Sequence, residues 1–144
     1  MNHACFDWAA LLTDSVLHPL CRGEGINFRP PAWVEHGRSG TIDVPAGLDV
    51  VWVEGTGVIR RELASVLDAA IYVQGDLDVQ EKRLVARDGD SPEQQELVLR
   101  WMEEELPFMA REQPWAYATI VLNGTSDLVH DPDTELVAAS PVRG

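Results

Sequence analysis

The chain has 144 residues, with 11 Lys and Arg against 24 Asp and Glu and a net charge of −13. Its length suits one domain, 1–144, and 45% hydrophobic residues suit a packed core rather than a disordered acidic segment. So acidic a balance excludes phosphate-backbone binding to nucleic acid as the main activity, because that needs clustered Lys and Arg.

Asp7 to Leu20 carries Trp8, Leu11, Leu12, Val16, Leu17 and Leu20 at helical spacing, with Asp7 placed to cap. Pro19 sets the expected end near His18. Glycines and prolines then multiply to Gly47, which predicts an irregular crossing with at most short extended pieces. Leu48-Asp-Val-Val-Trp-Val-Glu54 is β-branched, apolar and bounded by glycines, so it predicts a buried strand, followed by a short helix over Ile59 to Leu67.

Ala69-Ala-Ile-Tyr-Val-Gln74 predicts a second strand, and Asp76 caps a helix over Leu77 to Arg87 that Asp88-Gly89-Asp90 breaks. Ser91-Pro92-Glu93 is a helix start, and its apolar stripe runs to Arg111. Ala118-Thr-Ile-Val-Leu122 predicts a third strand stopped by Asn123-Gly124, with a weak strand over Leu136 to Ala139 and a flexible tail over 126–144. Apolar strands alternating with helices predict an α/β fold with an open parallel sheet flanked by helices, whose ligands lie beyond the carboxyl ends of the strands. That directs attention to Glu54, Gln74 and Asn123.

Glu54, at a strand-to-turn junction, can hold Mg²⁺ or take a proton from a hydroxyl, or simply brace the turn; spacing alone favours the brace. Arg83 and Arg87 share a helical face and can clamp a polyphosphate or can be solvated, whereas Arg60-Arg61-Glu62 reads as structural. His3-x-Cys5 and His18-x-x-Cys21 match no common zinc spacing. The tryptophans read as core, except Trp33 in the glycine- and proline-rich crossing. Lys82 is the single lysine and follows Glu81, so no Gly-Lys phosphate loop occurs. No apolar run nears the roughly 20 residues of a membrane span, and no secretory signal is visible, which predicts a cytoplasmic protein with reduced thiols.

The ordered set Val50-Val-Trp-Val-Glu-Gly55, Arg60-Arg-Glu-Leu63, Ala70-Ile-Tyr-Val73, Glu81-Lys-Arg-Leu-Val-Ala-Arg-Asp88, Trp101-Met-Glu-Glu-Glu105 with Pro114-Trp115, and Ala118-Thr-Ile-Val-Leu-Asn-Gly-Thr125 resembles the uridine kinase and phosphoribulokinase branch of the P-loop nucleoside kinases. The resemblance runs from about Phe6 to Thr125. It implies a P-loop-type three-layer sandwich without its first strands, and ATP-dependent phosphoryl transfer to a hydroxyl of a nucleoside or sugar-like acceptor. It also implies Glu54 beside Mg²⁺ and the acceptor, Arg83 and Arg87 in the lid over the ATP phosphates, and Asn123-Gly124-Thr125 beside the adenine. Asp7 and Trp33 are the acceptor-side candidates.

The family's phosphate loop, central strand and general-base aspartate have no counterpart in these residues. The expectation is therefore the carboxyl-terminal portion of a kinase-like protein, cut short by a mis-assigned start or a gene truncation and inactive by itself. A non-catalytic relic binding a nucleotide or a partner is the other reading. With the central strand absent, the strands of Val51 and Ile71 leave open edges, which predicts a homodimer.

Overall fold

The computed structural model describes residues 7–88 and 91–139; His3, Cys5, the break at Gly89-Asp90 and the last five residues lie outside them. The first helix, α1 (9–21), joins an α-helical turn Ala9–Leu12, a π-helical turn Thr13–Leu17 and an α-helical turn His18–Cys21. Contrary to expectation, Pro19 does not end it. The proline sits where the π-helical turn passes into the last α-helical turn, with helical backbone at Leu17 and His18 before it. Asp7 does not cap it either: Trp8 holds the cap position without a side-chain bond.

The crossing is more ordered than its composition suggests. Strands β1 (Ile26–Phe28) and β2 (Ile42–Val44) pair antiparallel, Ile26 opposite Val44, and enclose the short helix α2 (Pro31–Glu35). The main core lies where this hairpin meets α1. Ala9, Val16, Leu17, Ile26 and Leu63 are buried there, with Phe28, Ile42, Val44, Val53, Val66 and Leu67 packed around them.

Residues 48–54 overturn the expected buried strand. They form no strand and lie largely exposed, Val50 at 78% and Trp52 at 73% of full accessibility. β-branched residues favour extended backbone, but a strand persists only with a ladder beside it, and none of the described strands lies along this stretch. Trp52 is therefore not core. Residues 59–67 also form consecutive turns instead of a helix, although they still bury Leu63.

The second sheet is close to expectation. Strand β3 (Ile71–Gln74) pairs parallel with β4 (Ile120–Asn123), Ile71 opposite Ile120, and β4 pairs antiparallel with β5 (Ala138–Ala139). Between β3 and β4 run α3 (Leu77–Asp88), α4 (Pro92–Glu112) and the short α5 (Pro114–Tyr117). Ser91 caps α4 by accepting the Gln94 N–H at 3.3 Å. The fold is thus mixed α/β, with one two-stranded and one three-stranded sheet among the described residues and neither closed into a barrel.

Several large apolar side chains of the described residues are exposed, among them Val50, Trp52, Ile71 and Val73. None of the helices is long and apolar enough to cross a membrane among the described residues.

Candidate functional site

The carboxyl ends of the parallel pair β3 and β4 form a common rim. Beyond β3 the chain turns through Gly75 and Asp76 into α3; beyond β4 it turns through Gly124 and Thr125. The two turns are stitched together. The Gly124 N–H donates to the Gln74 carbonyl at 2.7 Å, and the Asp76 N–H donates to Thr125 Oγ1 at 3.1 Å. Thr125 Oγ1 lies 3.3 Å from Asp76 Oδ2, and the Thr125 N–H donates to Asn123 Oδ1 at 3.0 Å. Asp76 thus spends its carboxylate on the neighbouring turn, while its carbonyl accepts the first helical N–H groups of α3, from Val79 and Gln80.

Arg83 reaches back from α3 onto this rim, and both of its terminal nitrogens lie 3.4 Å from the Gly124 carbonyl. The tip of its guanidinium therefore lies against the loop that sequence reasoning singled out from a residue forty positions away. Gly124 leaves little room for anything larger, since an added Cβ would stand 3.3 Å from a Val73 methyl and 3.4 Å from the Gln74 carbonyl. Arg87 lies in the last turn of α3 and is exposed.

The other expected residues, Glu54, Trp33 and Asp7, form no hydrogen bond or ion pair with this rim among the described residues. Glu54 lies exposed on the unpaired stretch, not at the end of a buried strand. No group of three or more His, Cys, Asp or Glu side chains able to hold a metal gathers among the described residues. Trp33 lies on α2 in the hairpin, half-buried.

Asp7 opens onto a cavity of about 530 Å³ lined also by Arg60, Glu62, Phe108, Arg111 and Glu112. Its wall is an arginine stack that nothing in the sequence pattern signals beyond an arginine set between Ile59 and Leu63. Arg60 is 5% exposed, donates from Nε to the Gly57 carbonyl at 2.7 Å, and lies 4.7 Å from the Trp8 ring and 4.6 Å from the Phe108 ring. Burial lowers its pKa against the opposing pull of Glu62 and Glu112. Arg60 is packed inside, not on the solvated helix face that the structural reading of Arg60-Arg61-Glu62 expects.

Glu112 accepts from Arg111 Nε at 3.0 Å and from the Arg61 N–H at 3.3 Å, and these bonds hold its carboxyl below its ordinary range. A depressed carboxyl stabilises the fold above its unfolded pKa and loses that contribution as pH falls through the folded value. Glu112→Gln is therefore expected to lose less stability than the parent between about pH 6 and about pH 3. Urea midpoints across that interval measure the difference, and parallel pH profiles would remove Glu112 from the acid response.

Protein-family models, curated proteins and solved structures contain no match to this sequence.

Proposed function

We propose that the rim above β3 and β4 binds a nucleotide of the ATP class, as the lid side of a kinase-like fold of the uridine kinase and phosphoribulokinase kind. The parent activity in this reading is ATP-dependent phosphoryl transfer to a hydroxyl of a nucleoside or sugar-like acceptor. These residues contribute binding rather than turnover, because the charge cradle on which phosphoryl transfer depends, loop amides with a lysine, is not among them. The observation that carries the reading is the contact of Arg83 with Gly124. It joins a candidate phosphate ligand and a candidate adenine loop at the carboxyl ends of parallel strands, where open α/β sheets take their ligands. Arg83 and Arg87 also oppose locally the repulsion that a −13 chain exerts on a polyphosphate.

Calorimetry with ATP, UTP and uridine tests this. Saturable ATP binding is expected, weakened about tenfold in Arg83→Ala, the scale of one lost charge-assisted hydrogen-bond pair. ATP binding that is absent at millimolar concentration, or unchanged in Arg83→Ala, would falsify the assignment.

A second reading, association between copies through a sheet edge, is favoured by one observation. The edge of β3 away from β4 has no partner strand among the described residues, and Ile71 and Val73 lie exposed along it without a guarding charge or proline. Light scattering is expected to give twice the 15.9 kDa chain mass, with Val73→Lys returning the monomer. A parent that stays monomeric up to millimolar concentration removes this reading.

A further inference from the structure

We propose that the loop joining β1 to β2 is a recognition site for a phosphate monoester, held by Arg29 and Arg38 beside the Trp33 ring. The backbone builds the site. Pro31 starts α2, and the Pro30 carbonyl accepts the Trp33 N–H at 2.9 Å. The helix ends as a Schellman turn, in which the Gly37 N–H donates to the Val34 carbonyl at 3.2 Å and the Arg38 N–H to the Trp33 carbonyl at 2.8 Å. Gly37 makes this possible at φ +64, a conformation that side-chain-bearing residues rarely adopt.

That turn brings residue 38 back over residue 33, and the Arg38 guanidinium carbon rests 4.2 Å from the Trp33 ring centroid. Arg29, entering from β1, donates from a terminal nitrogen to the Arg38 carbonyl at 2.8 Å. One loop therefore holds the Arg38 guanidinium on an indole and ties the Arg29 guanidinium to the backbone of Arg38. A guanidinium stacked on a ring keeps its in-plane N–H donors for an anion at its edge, and a pair of such groups matches the charge of a phosphate dianion.

Charge distribution sets this loop apart. Three other exposed arginines are matched with carboxylates, Arg22 with Glu24 at 2.8 Å, Arg100 with Glu96 at 2.8 Å and Arg111 with Glu112 at 3.0 Å, while Arg83 and Arg61 bond the Gly124 carbonyl and the Tyr117 hydroxyl. Arg29 and Arg38 form no such pair among the described residues, although the chain carries 24 carboxylate side chains. Of the nearby acids, Asp43 accepts from Asn27 Nδ2 at 3.2 Å and Glu35 points into solvent from α2. Exposed Val34 and half-buried Trp33 give the organic part of an ester an apolar surface beside the arginines. This inference goes beyond the nucleotide reading, since neither arginine belongs to the β3 and β4 rim.

The test follows the arginine Nε–Hε signals of the full chain by NMR. Ribose 5-phosphate, inorganic phosphate and sodium chloride are titrated separately at matched ionic strength. Expected are saturable shifts of Arg29 and Arg38 with ribose 5-phosphate while Arg22 and Arg100 stay still, and binding at least tenfold weaker in the Arg29→Gln, Arg38→Gln double variant. Equal affinity for inorganic phosphate assigns recognition to the phosphate group alone; tighter binding of the ester adds the Trp33 surface; both support the site. Linear shifts shared by Arg100, equal shifts with chloride, unchanged binding in the double variant, or Arg38 signals that move with protein concentration alone would each overturn it. Arg83→Ala must leave this binding intact, which separates its failure from that of the nucleotide site.

Discussion

Leu63→Ala is expected to destabilise the protein by about 3 kcal/mol, read as a lowered urea midpoint with an unchanged slope. Leu63 is 0% exposed and belongs to the cluster that joins α1 to the hairpin. Its truncation removes methyl groups from contact with neighbours on several elements, and turn-bound backbone on either side limits collapse into the void. Trp52→Ala is the informative contrast. A tryptophan within a β-branched run reads as core in the sequence, and core truncation of tryptophan costs about 3–5 kcal/mol. At 73% exposure the expected change is instead within about 1 kcal/mol.

Phe108→Ala is expected to cost about 3–5 kcal/mol, the upper range for core positions, through both packing and charge. The ring is 2% exposed. It has the Arg60 guanidinium 4.6 Å from its centroid and that of Arg111 at 5.6 Å. Removing it leaves a buried guanidinium beside a void, the situation in which an internal charge becomes most unfavourable. Phe108→Leu keeps most of the apolar volume and discards the ring quadrupole. The loss that remains in Phe108→Leu therefore measures the stack, and the further loss in Phe108→Ala measures the volume. Near-parental stability of Phe108→Leu would mean that the stack contributes little beyond volume, whereas equal losses would assign the effect to the ring. Thermal unfolding of both proteins supplies the comparison.

The elements that sequence reasoning placed well are those whose stabilising interactions are local or mutually supplied. Ser91-Pro92 starts α4 because a serine oxygen and a proline ring act within one turn. Ile71–Gln74 and Ile120–Asn123 form β3 and β4 because each finds the other as a ladder. The stretch 48–54 carries the same pattern as those two and does not form a strand. Periodicity reports what a backbone favours and is silent on whether a neighbouring strand exists to receive its hydrogen bonds. The same limit applied at Glu54, whose place at a strand end depended on that strand.

The candidate site was legible to a similar degree. Asn123, Gly124 and Thr125 follow a strand, and Arg83 lies on the helix after the neighbouring strand, so parallel pairing brings them to one rim. Arg60 was legible only as a charge at the start of an expected helix, because its burial depends on Trp8 and Phe108, about fifty residues away on either side. Trp33 stood out by its glycine- and proline-rich surroundings, but the Schellman turn that lays Arg38 over it involves backbone bonds that composition does not specify.

By itself, the sequence determined the charge of −13, the missing Gly-Lys step, the two long helices of the second half and the two strands that pair in parallel. Each follows from chemistry that acts within a residue or within a few turns. Tertiary structure alone decided that residues 48–54 lie largely exposed, that Arg60 is enclosed between rings, and that Arg38 stacks on Trp33 with Arg29 bonded to its carbonyl. These outcomes depend on contacts between distant parts of the chain, whose free energies are set by which surfaces and hydrogen-bonding groups reach one another in space.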